Sequence, residues 1–269
     1  MAKYKKKRAR ELKHDKFRDT TMRLFDRLGD QLEGKGRAIL YGIGGVVLLS
    51  LIVGLFIRWS NRKSDEARYA LSRAIAITTT PVSAPPAPGS SAQSFSSEQE
   101  RAQKAIDEFQ KVAAKYGEPY RTEARYFIAT NLLYVDRNKG ISDLSELGKT
   151  SNKDVASLAK FALAQAKEAD GKYDEAIALY RELAGENSTV LSPETANLRL
   201  ALAYKKQGKK KEAADLLFNI VDTARKAKDS EGNPQQQSQA ARDAAQELRK
   251  LDPARYDQLP PEPAPNLPF

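Results

Sequence analysis

The ten residues GKYDEAIALY, Gly171 to Tyr180, carry the pattern on which the fold turns. A glycine here ends a helix, because it accepts the left-handed turn that other residues resist. Asp174 and Glu175 follow in the first turn of the next helix, where carboxylates complement the helix dipole. Ala176 and Tyr180 are four apart and share one helical face. Seven residues before the glycine stands Ala164, after Leu163. The set recurs 37 residues on as Leu200, Ala201, Tyr204, Gly208, Ala213 and Leu217. In both copies seven residues lead from the small residue to the glycine, five more to alanine and four more to a bulky side chain. The small residues let two antiparallel helices approach, and the bulky ones fill the space between neighbouring pairs.

Outward from this core the chain is helical by period, with no convincing alternating strand. Asp65 to Ile77 is an alanine-rich amphipathic helix. Ser97 with Glu100 is a capping-box signature for a helix that ends near Tyr116, before Gly117 and Pro119. Helices are expected over Thr122–Val135, Ile141–Leu147, a stretch capped by Ser151 with Asp154 and running to Ala169, and Tyr173–Ala184. Ser192-Pro193 is an N-cap with a first-position proline for a helix to Lys206. Lys210–Lys226 and Gln237–Leu251 complete the set. Ala105 and Phe109 look like the second helix of an earlier, degraded unit. The expected domain, residues 64–251, is an all-α solenoid of about four helical pairs plus a capping helix. Residues 78–97 are rich in Pro, Ser and Ala and are expected to form a flexible insertion. The Pro-rich segment 252–269 is expected to be a disordered tail.

Ala38 to Ile57 reads AILYGIGGVVLLSLIVGLFI, without charge or proline. As a helix it covers roughly 30 Å, the hydrocarbon thickness of a bilayer. A signal peptide would have a shorter apolar run and a small-residue cleavage site, whereas this one ends in Phe56-Ile57-Arg58-Trp59. A single transmembrane helix is the expectation. Residues 1–37 hold thirteen Lys and Arg against six Asp and Glu, so most of the chain's +10 lies in this tail. Its amphipathic stretch suits an anionic lipid surface. The immediate flanks carry equal positive charge, so orientation rests on the short basic tail: N-terminus cytoplasmic, residues 64–269 periplasmic. Ala38, Gly42, Ser50 and Gly54 lie on a four-residue spacing and form a candidate helix-packing face for another membrane protein or a second copy.

The Gly171–Tyr180 and Gly208–Leu217 elements resemble the tetratricopeptide repeat. The chain departs from that pattern where Lys160 and Asn197 replace tryptophan, and the pair over 119–150 lacks the linking glycine. The whole layout resembles the bacterial ancillary Sec translocon subunit and cell-division-coordinator-like repeat family. That resemblance implies a single-pass inner-membrane scaffold whose protein partners are translocon subunits, periplasmic chaperones or clients. It further implies a groove lined by the first helix of each pair. Phe161, Gln165 and Glu168 would face it from one unit, and Leu198, Leu202 and Lys205 from the next. The Lys and Asn that grip a terminal carboxylate in some such repeats are replaced by Phe, Gln and Leu, so no such clamp is expected.

Catalysis is not expected. The chain has no cysteine, which excludes disulfides and thiolate chemistry, and His14 is its one histidine. No phosphate-binding loop, nucleophile elbow or zinc motif occurs. Neither a cofactor, a metal nor a nucleic-acid partner is implied. Two alternatives remain at this level: an envelope scaffold for division or outer-membrane assembly, and a binding protein of inverted, cytoplasm-facing topology. Protease added to spheroplasts should digest residues 64–269 and spare the tail; full protection of the large domain would establish the inverted topology.

Overall fold

A computed structural model describes residues 62–82, 94–186 and 188–262. The chain divides into two compact units, Met1–Ser64 and Asp65–Phe269. The tail 1–37, the apolar run 38–57 with Ala38, Gly42, Ser50 and Gly54, and most of the insertion lie outside the described residues. No helix among the described residues is long and apolar enough to cross a membrane.

The described part of the second unit is all-helical. Its helices are α1 (residues 65–78), α2 (Glu98–Lys115), α3 (Tyr120–Val135), α4 (Arg137–Leu147) and α5 (Lys153–Ala169). They continue with α6 (Tyr173–Ala184), α7 (Pro193–Lys206), α8 (Lys210–Lys226), α9 (Gln239–Leu251) and the short α10 (Pro253–Tyr256). From α2 onward each helix packs on the next, and α3 and α7 also reach α5 and α9 respectively. This is the contact pattern of stacked pairs, α1–α2 to α7–α8, closed by α9.

The two glycine turns form as the spacing predicts. Gly171 and Gly208 have φ of +73° and +87°. After each, a Schellman pair closes the helix end: Lys172 N–H donates to the Lys167 carbonyl (2.9 Å) and Gly171 N–H to that of Glu168 (3.1 Å). Lys209 and Gly208 repeat it on Tyr204 (2.9 Å) and Lys205 (3.1 Å). Ala164, Ala176, Ala201 and Ala213 are fully buried where the paired helices touch.

The unit without the glycine solves the same problem differently. Asp136 alone joins α3 to α4: its N–H donates to Leu132 O (2.7 Å), and its carboxylate accepts from Lys139 N–H (3.1 Å). So tight a turn brings the helices closer. The position held by Ala176 in α6 and Ala213 in α8, four residues past the N-cap, is Gly140 in α4. A Cβ there would lie 2.8 Å from Leu133 N and 3.0 Å from Ala129 O. The large residue four positions later is fully buried in all three, Leu144, Tyr180 and Leu217, and Phe109 and Leu248 stand in the same way four residues after the fully buried Ala105 and Ala244. Phe109 also stacks on Phe127 with centroids 4.9 Å apart, tying α2 to α3.

Several element ends depart from expectation. Ser97 caps α2, but Glu100 reaches back to Ser96 N–H (3.0 Å) rather than to Ser97. Asn152, not Ser151, caps α5 through Val155 N–H (3.2 Å). Helix α4 begins four residues earlier than the apolar pattern suggests, because Asp136 caps it. The base of the 78–97 insertion is held: Phe95 N–H donates to Pro81 O (3.2 Å), and the Arg101 guanidinium to Thr80 O (3.3 Å). Residues 252–262 are placed as well, against the expectation of disorder from 252 onward. Leu259 is buried in the last core, and Arg225 donates to the Pro260 carbonyl while lying over the Tyr256 ring. This strap covers α8 and α9 where a further second helix would otherwise stand.

Gly140→Ala is expected to lose roughly 1–3 kcal/mol, since backbone atoms on α3 must move to admit the methyl group. Gly117→Ala, with no atom within 4 Å of its Cβ, should stay within about 0.5 kcal/mol of the parent. Urea unfolding midpoints of the two variants check the difference.

Candidate functional site

The six groove candidates come from two helices, and the structure turns the two sets toward different neighbours. On α5, Phe161 meets Tyr180 edge-on with centroids 5.9 Å apart. Glu168 is 9% exposed. It accepts the Tyr180 hydroxyl (2.9 Å) and pairs with Lys206 (2.7 Å). Burial, and then this carboxylate, push the Tyr180 phenol well above its usual pKa. Gln165 is the exposed member. On α7, Leu198 is buried in the last core, Leu202 packs against it half-buried, and Lys205 binds Glu247 of α9 (2.6 Å). The α5 residues thus sit on the seam with α6 and α7, and the α7 residues on the seam with α9.

That second seam contains a cleft. Thr195, Leu198, Arg199 and Leu202 of α7 face Gln239, Ala240, Asp243, Gln246 and Glu247 of α9 around a cavity of about 500 Å³. Its floor is apolar, from Leu198, Leu202 and Ala240. Its rim carries both signs of charge. Asp243 is taken by Gln239 (2.7 Å) and Glu247 by Lys205 and Lys250 (3.1 Å to the latter), while Arg199 makes no ion pair within the described residues. The volume suits a few residues of an extended chain or one turn of an amphipathic helix. A second cleft, about 740 Å³, lies among α4, α5 and α6, with Leu163 and Leu179 beneath Ser145, Lys149 and Lys167.

Polar side chains pin each unit to the next. Lys160, at the position where tryptophan is expected in the resemblance, reaches Glu182 and Glu186, both at 2.6 Å. Burial favours its neutral form, but the two carboxylates outweigh this and hold its pKa above the usual lysine value. Arg137 of α4 binds Asp170 (2.7 Å) and the Ala166 carbonyl (2.9 Å) at the end of α5. Arg181 of α6 donates to the Tyr204 hydroxyl of α7 (2.6 Å). Sequence spacing does not reveal these pairs, whose partners lie 22 to 33 residues apart. Among the described residues no group of three His, Asp or Glu side chains is placed to hold a metal.

The architecture is that of a tetratricopeptide-like helical-repeat solenoid, a class that binds other proteins. Residues 195–227 match the tetratricopeptide repeat family model. The match falls on the α7–α8 unit, whose GKKKEAADLL keeps the same spacing with the less specific residues. A crystal structure of Podosopora anserina kinesin light chain nearly identical TPR-like repeats, and one of a single-substitution variant, are similar in structure. Each shares 17% identity over 72% of this chain and 88% of its own, at a TM-score of 0.49. No curated protein matches the chain.

The Lys205 hydrogen bond, aided by Lys250, outweighs burial and holds Glu247 below the usual carboxylate range. A depressed folded-state pKa adds stability above the unfolded value of 4.5, and this is lost as pH falls through the folded value. Urea unfolding should therefore show Glu247→Gln less stable than the parent by about 1 kcal/mol at pH 6, with the difference shrinking as the pH falls below the unfolded-state value. A pH-independent difference would mean that the carboxylate acts by shape alone.

Proposed function

We propose that the protein is a membrane-anchored scaffold that gathers protein partners at the bacterial inner membrane. In this reading Ala38–Ile57 is the single span, the N-terminus is cytoplasmic and the helical pairs stand in the periplasm. The observation that carries the binding role is the α7–α9 cleft, whose apolar floor beneath a mixed-charge rim fits a segment of polypeptide. The membrane role is supported by the twenty uncharged residues and the basic tail before them. The order of tail, apolar run and degenerate helical pairs resembles the ancillary translocon subunit, so the partners proposed are translocon subunits and the periplasmic chaperones or clients that meet there. The scaffold is not an enzyme in this reading, since its one histidine lies in the tail, remote in sequence from every repeat.

A photoreactive residue at Arg199 or Gln246 of the full-length protein in cells should crosslink to translocon subunits, chaperones or exported clients. Leu202→Ala, which thins the cleft floor, should lower the yield about fivefold. Adducts only with division or outer-membrane assembly proteins would move the scaffold to that process. A yield no greater than that from exposed Lys153 would remove the cleft from the binding surface.

A further inference from the structure

The turn between α7 and α8 reads YKKQGKKKE, Tyr204 to Glu212, with five lysines in nine residues. The structure divides them into two sets. Lys205 and Lys206 are consumed internally, by Glu247 (2.6 Å) and Glu168 (2.7 Å). Lys209, Lys210 and Lys211 are exposed. Lys209 lies over the Tyr204 ring at 5.7 Å, and the side chains of Lys210 and Lys211 make no hydrogen bond or ion pair among the described residues. Lys250 at the end of α9 joins the same corner through Glu247.

Nothing in the fold asks for this charge. Three cations flank the first turn of α8, where the helix dipole is already positive, which costs a few tenths of a kcal/mol each. The preceding unit shows the alternative. There Tyr173, Asp174 and Glu175 occupy the positions of Lys210, Lys211 and Glu212. The acidic groups of that turn are also satisfied: Asp170 by Arg137, Asp174 by Gln207 (2.7 Å) and Glu175 by Lys167 (2.6 Å). Those carboxylates are thus already occupied, and exposed Glu212, in the first turn of α8, makes no ion pair with the three lysines among the described residues. A local departure from helix electrostatics, with no compensating contact, is the kind found at recognition sites.

We infer that the α7–α8 turn is a second docking surface, which takes a short acidic segment of a partner protein on Lys209, Lys210 and Lys211. Charge complementarity selects the partner. The features of the turn argue against other polyanions. A lipid surface is met with large apolar side chains beside the cations, and the exposed residues here are Gly208, lysines and Glu212. A nucleic-acid strand needs free aromatic faces, and the one ring present, Tyr204, is covered by Lys209 and bonded by Arg181. The surface is separate from the α7–α9 cleft, so each can fail without the other.

The test uses the full-length chain in non-ionic detergent, with a fluorescein-labelled octaglutamate bearing a photoreactive group. Crosslinks mapped by mass spectrometry should fall on residues 204–212. The triple variant Lys209→Gln, Lys210→Gln, Lys211→Gln should lose this binding about tenfold. It should unfold at an equal or higher urea concentration, because like charge leaves the positive end of α8; a structural role for the lysines would lower it. Leu202→Ala should leave the acidic peptide bound. Crosslinks confined to residues 1–37, or equal in parent and variant, would overturn the assignment. So would three lysines that govern anionic vesicles or a single-stranded oligonucleotide while the acidic peptide binds both proteins alike.

Discussion

The structure depends on how closely two antiparallel helices can lie within a pair. One position, the fourth after the N-cap of the second helix, fixes that distance. With a glycine turn of normal length it is alanine, as at Ala176 and Ala213, fully buried in both cases. With the single-residue turn at Asp136 it has to be Gly140, because the α3 backbone occupies the space of a Cβ. Turn length and side-chain size are therefore coupled, and either change alone would open a gap or force a clash. The residue one turn further on then determines the next contact. Leu144, Tyr180 and Leu217 fill the space where a pair meets its neighbours, so each unit is stabilised chiefly by those beside it.

Such a chain of neighbour contacts needs an end. Helix α9 supplies it with Ala240, Ala241, Ala244 and Leu248 turned inward and Arg242, Gln246 and Arg249 away from the core. The strap through Tyr256 and Leu259 covers what α9 leaves open. Proline-rich composition made that segment read as disordered, yet one buried leucine and one arginine bonded to a backbone carbonyl suffice to hold its first half. Composition reports the average tendency of a stretch; tertiary contacts at single residues can override it.

The same contrast explains what was legible elsewhere. The bounds of α6, α7 and α8 followed from local chemistry: a glycine with positive φ, a Ser-Pro start and acidic or basic termini. The start of α4 was hidden because Gly140 resembles a helix breaker until its close neighbour is known. The register placed Glu168 and Lys205 on an open face. In the structure each is bound to a residue on another helix, Glu168 to Tyr180 and Lys206, Lys205 to Glu247. Periodicity says which side of a helix a residue occupies but not which charged partner the next unit brings against it. The cleft was half visible for the same reason: Leu198 and Leu202 followed from the repeat, while its α9 wall lies outside the repeat pattern.

Charge and packing have separate duties in this solenoid. Most ion pairs between units involve at least one partly exposed group, and such pairs contribute little net stability. Their geometric value is larger, since Lys160 bridging Glu182 and Glu186, or Lys206 on Glu168, fits one alignment of successive helices. Stability comes from the buried small and large residues, which recur almost without exception. Because that pattern is confined to inward faces, the turns are free to differ in charge from unit to unit. The α5–α6 turn is acidic with its carboxylates matched, whereas in the basic α7–α8 turn Lys205 and Lys206 are matched and Lys209 to Lys211 are not, although the two backbones make the same hydrogen bonds. The same backbone thus accepts either sign of charge, because the packing constraint stops at the inward faces.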